Sequence, residues 1–222
     1  MLKSLGMIAF LDVIHMDQMD YVYDFLSPYS VNRDRFIECI YKLHEHEIVD
    51  ICNDKVVRIS DQCLSNYLLK VTFFDKKLLS LSDAVKVVFE KNKEKTVMAI
   101  NALLSVFRNE SLYDFVETEI RKLWDNLKAE SSPFFFDFLK AFYLINPVDT
   151  LLILEEEIKQ VEKVNKDFSE IVINEKQTVN NNSDDYLNVL CGFYKDVDNI
   201  DAALDLIFEY FDKRPDLINE FI

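Results

Sequence analysis

The chain has 222 residues, half of them hydrophobic, and a formal net charge of −15. These values are typical of a globular protein with a substantial core, arranged as one large domain or two small ones. Only two glycines are present, Gly6 and Gly192. Because phosphate-binding loops and dinucleotide-binding turns need several glycines, the sequence excludes both kinds of site. The acidic charge disfavours nucleic acid and anionic lipid as partners.

The N-terminus and the cysteines indicate a cytoplasmic protein. The apolar stretch that begins the chain has no signal-peptidase motif and is interrupted by Asp12, so we predict a core helix rather than a signal peptide. No apolar run is long enough to cross a membrane, and no membrane partner is expected. No C-x-x-C pair occurs, so we expect buried free thiols rather than disulfides. The cysteines are Cys39, Cys52, Cys63 and Cys191.

The first part of the chain predicts three helices. Residues 2–14 are apolar nearly all round, which is typical of a buried helix. A second helix is predicted over Asp17–Leu26. Ser30 or Asn32 is expected to cap a third helix that runs to about Glu47.

A β-hairpin and a fourth helix follow. The predicted strands are Asp50–Cys52 and Lys55–Ile59, joined by an Asn-Asp turn. Ser60 is expected to cap a helix that continues to Leu69. Three helices, a hairpin and a fourth helix are the order of a winged helix-turn-helix, and we assign residues 1–78 to this domain. The side chains predicted to face the core from the fourth helix are Cys63, Leu64, Tyr67 and Leu68.

The rest of the chain predicts helices only. Within each predicted pair the two helix starts lie 15 residues apart, and the first two pairs lie 37 residues apart. Such a period indicates stacked helical hairpins. We therefore assign residues 79–222 to a helical-repeat domain, with an irregular loop at about residues 166–182, and expect a mainly α fold. The predicted starts are near Thr96 and Ser111, near Pro133 and Val148, and near Asp184 and Asn199.

Apolar residues recur at helical spacing along these segments. Such stripes predict the faces that pack against neighbouring helices. The stripes are Val97, Ile100, Leu104 and Phe107; Val116, Ile120, Leu123 and Leu127; Phe135, Leu139 and Phe142; Leu151, Leu154, Ile158 and Val161; Leu187, Leu190 and Tyr194; and Leu204, Ile207 and Phe211.

No residue pattern predicts catalysis or metal binding. His44 and His46 are near neighbours, but positions two apart on a helix point in different directions and cannot share an ion. No H-E-x-x-H motif or cysteine pair with zinc-ligand spacing is present. Three consecutive glutamates, residues 155–157, are interpreted as a solvated helix face. We therefore expect no enzyme activity, no metal site and no cofactor.

DNA binding is the alternative function that a winged helix raises, with the helical part as an effector or dimerisation domain. Arg33, Arg35 and Lys42, on the third predicted helix, are the candidate DNA contacts. Acidic side chains on the same helix would repel phosphate, so nucleic acid is disfavoured. These side chains are Asp34, Glu38, Glu45 and Glu47.

The segment Lys42–Val49, the hairpin after it and the segment Val57–Leu68 carry a resemblance to a known family. They are similar to the winged-helix domain of STAND NTPases, multidomain ATPases related to NACHT and NB-ARC switch proteins. In that family a hydrophobic-His-Asp motif opens the last helix of the domain, and its histidine contacts the bound nucleotide. Ile59, Ser60 and Asp61 occupy those positions here. The resemblance implies Ser60 and Asp61 as candidates for nucleotide contact in an intact parent, with serine where histidine is usual.

The last helix pair resembles a tetratricopeptide unit. Tyr210 departs from that motif, because a small residue is usual at its position. The matching positions are Leu187, Leu190, Cys191, Tyr194, Ala203, Ile207 and Pro215.

STAND NTPases commonly continue from the winged helix into a helical-repeat array. The resemblance therefore implies that this chain is a C-terminal fragment of such a protein, without its P-loop. We expect a non-catalytic regulatory module. Its winged helix would pack against the missing ATPase domain, and its repeats would bind a protein partner. Because residues 81–222 carry a net charge of −12, basic partners are favoured.

Overall fold

The computed structural model describes residues 1–164 and 184–217, which form two compact units. Unit 1 is Met1–Phe135, and unit 2 begins at Phe136. The described residues are mainly helical, with one three-stranded antiparallel sheet, as the sequence predicts for the fold class. Within these ranges no helix is both long and apolar enough to span a membrane.

Unit 1 begins with helices around the small sheet and continues with three further helices. Helix α4 ends in a π-helical turn, Val71–Asp75. The elements are α1 (Leu2–Leu11), β1 (Val13–His15), α2 (Asp20–Leu26), α3 (Arg33–Glu45), β2 (Val49–Cys52), β3 (Val56–Ile59), α4 (Gln62–Lys70), α5 (Leu81–Phe89), α6 (Lys93–Phe107) and α7 (Glu110–Ala129).

The sheet has the strand order β1-β3-β2, and its hairpin is confirmed. Val49 pairs with Ile59 and Cys52 with Val56. Between them Asn53 and Asp54 both have positive φ, 52° and 53°. This is the conformation of a type I′ turn, whose twist matches that of the two strands. The Asn-Asp pair tolerates it better than most residues do.

Strand β1 corrects the first predicted helix, which ends earlier than residue 14. Asp12 takes a left-handed conformation with φ 58° and terminates α1. Val13–His15 then pairs with Val56–Arg58 at the edge of the sheet. The apolar run hides this break, because Val13 and Ile14 suit a buried helix as well as a buried strand; in the strand Ile14 is buried and Val13 is partly buried.

The caps of α3 and α4 are set by short polar side chains. The Asn32 side-chain oxygen accepts a hydrogen bond from the Arg35 amide at 3.0 Å, which confirms one of the two predicted caps. Helix α4 is capped by Asp61, not by the predicted Ser60. Asp61 Oδ1 accepts from the Leu64 amide at 2.7 Å.

The predicted buried face of α4 is right at Leu68, half right at Leu64, which is partly buried, and wrong at its other two positions. Ser65, Leu68 and Leu69 are buried, whereas Cys63 and Tyr67 are exposed. The true face continues to Thr72 and packs on α1. Two of its positions are hydroxyl residues, which masks the apolar stripe in the sequence.

Helix α1 explains why those positions are small. A Cβ built on Gly6 would lie 2.4 Å from Thr72 Cγ2 and 2.5 Å from Thr72 Cβ. Both residues are buried, so the two backbones approach each other closely here. Glycine at position 6 is therefore required by the packing of α1 against the π-helical turn.

The predicted core face is correct for α7 but not for α6. The α7 stripe Val116, Ile120, Leu123 and Leu127 is buried as predicted. Trp124 is fully buried beside it, with its ring centroid 5.3 Å from that of Phe135. On α6 the predicted stripe is rotated, since Thr96, Ala99, Ile100 and Leu103 are the buried residues.

Unit 2 contains helical pairs near the predicted positions. Among the described residues no strand follows Ile59, and the helix starts fall within three residues of prediction. The predicted loop at 166–182 lies outside the described residues. The predicted domain limits, 1–78 and 79–222, stay a prediction. The elements are α8 (Phe135–Phe142), of which only the first residue belongs to unit 1, α9 (Pro147–Gln160), α10 (Asp185–Gly192) and α11 (Ile200–Lys213).

Replacing Gly6 by alanine tests the contact between α1 and the π-helical turn. Alanine gains about 1 kcal/mol of helix propensity, but the new methyl overlaps buried Thr72. The overlap costs about 1–3 kcal/mol, so we expect a net loss of up to about 2 kcal/mol in the free energy of unfolding, measured with urea.

Gly192→Ala is the matched control. Its Cβ would meet the hydroxyl end of the Tyr143 ring, which is only partly buried and is able to move. We expect a smaller loss for this variant. A Gly6→Ala protein as stable as the wild type would contradict the packing described for α1.

Candidate functional site

The two candidates for nucleotide contact, Ser60 and Asp61, have local structural partners. Ser60 Oγ donates to the Glu47 carbonyl oxygen at 2.7 Å, which links the strand end to the end of α3. Asp61 caps α4. Both side chains are exposed. They lie side by side on the surface, and their contact with a nucleotide stays a prediction.

The three candidates for DNA contact lie on α3 but do not form one basic patch. The Arg33 guanidinium lies 5.3 Å from the centre of the Tyr23 ring, and Arg35 Nη1 donates to the Ser30 carbonyl oxygen at 3.2 Å. Lys42, further along the helix, pairs with Glu38 at 2.6 Å. Its hydrogen bond lowers the pKa of Glu38. The charge of Lys42 is therefore partly compensated.

The histidines and most cysteines occupy ordinary surface positions. His44 Nδ1 lies 2.9 Å from the Val49 carbonyl oxygen, and His46 follows the last residue of α3. In the described part of the chain no group of three or more potential ligands is placed to hold a metal. The expectation of buried thiols holds for Cys39 alone, because the others are exposed. These are Cys52, Cys63 and Cys191.

A polar pocket of about 500 Å³ lies between β1 and the start of α6. Its most buried cation is Lys95, whose ammonium donates to the Val13 carbonyl oxygen. Burial lowers the pKa of Lys95. The hydrogen bond joins α6 to the edge strand, so Lys95 has a structural role here. The remaining polar side chains of the pocket are His15, Gln18, Tyr21, Lys91 and Asn92.

Unit 2 exposes an unusual share of large apolar side chains. Of the thirteen such residues on the described surface, seven lie in unit 2, which has fewer than half as many described residues as unit 1. Contiguous exposed apolar surface marks sites of interaction in folded proteins. The seven are Leu144, Val148, Leu152, Tyr194, Val197, Leu204 and Phe208.

Two of them line a groove between α9 and α11, called here the α9–α11 groove. Its volume is about 380 Å³. The floor is apolar and carboxylates stand on both helices. Its lining residues are Val148, Leu151, Leu152 and Glu155 on α9, Ala202, Asp205, Leu206 and Glu209 on α11, and Asn199 before α11.

The α9–α11 groove arises because the apolar surface of α9 is wider than its core contact. Leu151, Leu154 and Ile158 are buried, as the stripe predicts. Val148 and Leu152 lie beside that stripe and remain 59% and 55% exposed. Sequence reasoning missed these residues, although the breadth of the apolar arc on α9 was visible in the sequence.

A second, smaller groove of about 170 Å³ lies between α10 and α11. It is almost wholly apolar, and its rim includes the exposed Tyr194 and Leu204. Both residues were predicted to be core, and the structure corrects this. Its other lining residues are Leu190, Cys191, Ile200, Ala203 and Ile207.

Helices α10 and α11 are joined by Asp184 and Tyr210. The Tyr210 hydroxyl donates to Asp184 Oδ2 at 2.8 Å. Asp184 Oδ1 accepts from the amides of Tyr186 and Leu187 and so caps α10. Burial, together with the hydrogen bond to Asp184, raises the pKa of Tyr210. The hydroxyl of Tyr210 therefore has a structural partner.

Removing the Tyr210 hydroxyl tests this link. We expect Tyr210→Phe to lower the free energy of unfolding by about 1–2 kcal/mol, because the half-buried Asp184 carboxylate loses the hydrogen bond from this hydroxyl. A pKa raised in the folded state means that stability is fully present below about pH 10 and is lost at higher pH. The variant should therefore lose less stability above pH 10 than the wild type.

Absorbance of tyrosinate at 295 nm measures the titration directly, with urea unfolding at pH 8 and pH 11 as the readout of stability. Tyr194→Phe is the control, since Tyr194 is exposed. Identical alkaline behaviour of Tyr210→Phe and the wild type would contradict the assigned hydrogen bond.

No family model, curated protein or solved structure matches this chain. Its function is therefore inferred from the geometry of its own surfaces. The structure brings Val148 and Leu152 together with Asp205 and Glu209, and it gives Ser60 and Asp61 capping and hydrogen-bonding roles.

Proposed function

We propose that this chain is a non-catalytic regulatory and protein-interaction module, the winged-helix and tetratricopeptide-like part of a STAND-type NTPase. Unit 1 contains the winged helix, which in the intact protein packs against the ATPase domain in the inactive state. Unit 2 contributes the surface that recognises a protein partner. Partner binding is then coupled to release of the ATPase domain.

The observation that carries this proposal is the concentration of exposed apolar side chains in unit 2. Water-exposed leucine, valine and phenylalanine side chains are favourable to bury, at about 25 cal/mol for each Å² of apolar surface. Four of the seven line the two grooves of unit 2, and the α9–α11 groove also carries carboxylates. This is the composition of a recognition surface rather than of a reaction pocket. The excess of negative charge in residues 81–222 favours basic partners.

The order of elements in unit 1 supports the winged-helix part of the proposal. A hairpin lies between α3 and α4, and Asp61 stands at the start of the helix after it. In the family that this segment resembles, the aspartate at this position comes directly after a histidine. Because Ser60 stands in place of that histidine, we propose that this module regulates the ATPase domain mainly by contact between domains and less by binding the nucleotide directly.

DNA binding remains the second candidate because Arg33 and Arg35 are exposed at the start of α3. A helix N-terminus with two arginines is a common way to contact phosphate. Against it, Lys42 is paired with Glu38, and the rest of the helix surface is rich in carboxylates.

Site-specific photo-crosslinking in cells distinguishes the two functions. A benzophenone amino acid replaces Leu152, Tyr113 or Arg35 in turn in the full-length protein. We expect irradiation to give a discrete protein adduct from position 152, because this position lies on the proposed docking surface. Tyr113, about as exposed as Leu152 but on α7, is the control and should give none.

Position 35 reports on nucleic acid. We expect no nuclease-sensitive adduct from it. Nuclease-sensitive adducts at position 35, with none of any kind at position 152, would contradict the proposed function and favour a DNA-binding regulator.

A further inference from the structure

The floor of the α9–α11 groove is apolar and exposed to water. Val148 and Leu152 are more than half exposed at its base, with Leu151 and Leu206 buried beneath them. Ala202 is the small residue on the opposite wall, which leaves room for an inserted side chain. The groove therefore offers anchor positions for large apolar side chains.

Its walls carry more negative than positive charge. Glu155, on α9, pairs with Lys159. The hydrogen bond to Glu155, with the nearby charge of Glu209, raises the pKa of Lys159. Asp205 adds a third carboxylate on α11. Three carboxylates against one ammonium leave a surplus of negative charge around the apolar floor.

The shape of the groove favours a helical occupant. Its lining residues on α9 span positions 148–155, and those on α11 span 202–209. Each row is about two helical turns, or roughly 10 Å long. A third helix packs into such a groove between two helices while satisfying its own backbone hydrogen bonds. An extended peptide would leave its amides facing apolar side chains, with no strand edge to pair with.

We infer that the α9–α11 groove binds a basic amphipathic helix of a partner protein. This inference rests on the proposed function and names the class of partner that unit 2 recognises. Two or more apolar side chains, spaced three or four residues apart, contact Val148 and Leu152. Lysine or arginine side chains on either flank of the helix face the carboxylates of both walls.

The probe is a blocked, fluorescein-labelled 18-residue peptide with a leucine stripe at helical spacing, flanked by lysines. Its binding to the full chain is followed by fluorescence anisotropy. We expect Leu152→Asn to weaken binding by about tenfold or more, because the anchor loses apolar contact in the groove. Phe208→Asn is the matched control. Phe208 is 68% exposed on α11 and does not line the groove, so this variant should bind as the wild type does.

Charge is tested with Asp205→Lys combined with Glu209→Lys. We expect weaker binding that no longer falls, or even rises, with salt between 50 and 300 mM KCl, because attraction to the lysines of the peptide is replaced by repulsion. Asp201→Lys, an exposed change on the same helix outside the groove, is the control. Circular dichroism and urea unfolding establish that each variant is folded.

Several outcomes overturn the inference. Binding that Leu152→Asn leaves unchanged would place the peptide elsewhere. Equal binding of a peptide with glutamate in place of lysine, or of a scrambled peptide without the leucine stripe, would remove its chemical basis. Self-association lost in Leu152→Asn would make the groove an interface between copies of the chain. In each case an adduct from position 152 with a protein other than this chain would leave the proposed function standing.

Discussion

The packing of α9 against α11 is the constraint on which the recognition surface depends. Leu154 and Ile158 are buried on α9, and Lys213 of α11 donates to the last carbonyl oxygens of α9, those of Ile158 and Lys159, at 2.8 and 2.7 Å. Both carbonyl oxygens lie in the last turn of α9, where a cation suits the helix dipole, and that of Ile158 also accepts from the Val161 amide. With the two helices held side by side, the apolar residues next to the core stripe of α9 face outward between one carboxylate on α9 and two on α11.

Unit 1 uses a different device, close backbone approach, to hold its sheet and helices together. Gly6 and Thr72 allow α1 to pack closely against the π-helical turn after α4. Helix α4 itself begins at the Asp61 cap. The hydroxyl of Ser60 ties the strand end to α3. The residues that the family resemblance singles out therefore also organise the local fold, and a nucleotide or a neighbouring domain that touched them would act on the junction between the sheet and α4.

The parts of the fold that local chemistry determines could be predicted from the sequence. The Asn53-Asp54 turn, the Asn32 cap and the α7 stripe from Val116 to Leu127 all follow from neighbours in the chain. Strand β1 could not, because it exists only by pairing with β3. Nor could the buried face of α4, where Ser65 and Thr72 replace apolar residues at a close contact. The α9–α11 groove depends on which helix covers which side of α9, and periodicity alone does not contain that information.

Exposure of the groove floor in the full chain is the most direct test of this account. Methyl NMR with a soluble gadolinium chelate measures it residue by residue. We predict strong broadening of the Val148 and Leu152 methyl signals, while those of Leu154 and Ile158, which are fully buried, stay sharp. Methyl signals of Val148 and Leu152 as protected as that of Leu154 would mean that the groove is covered, and would contradict the assignment of this surface to a partner.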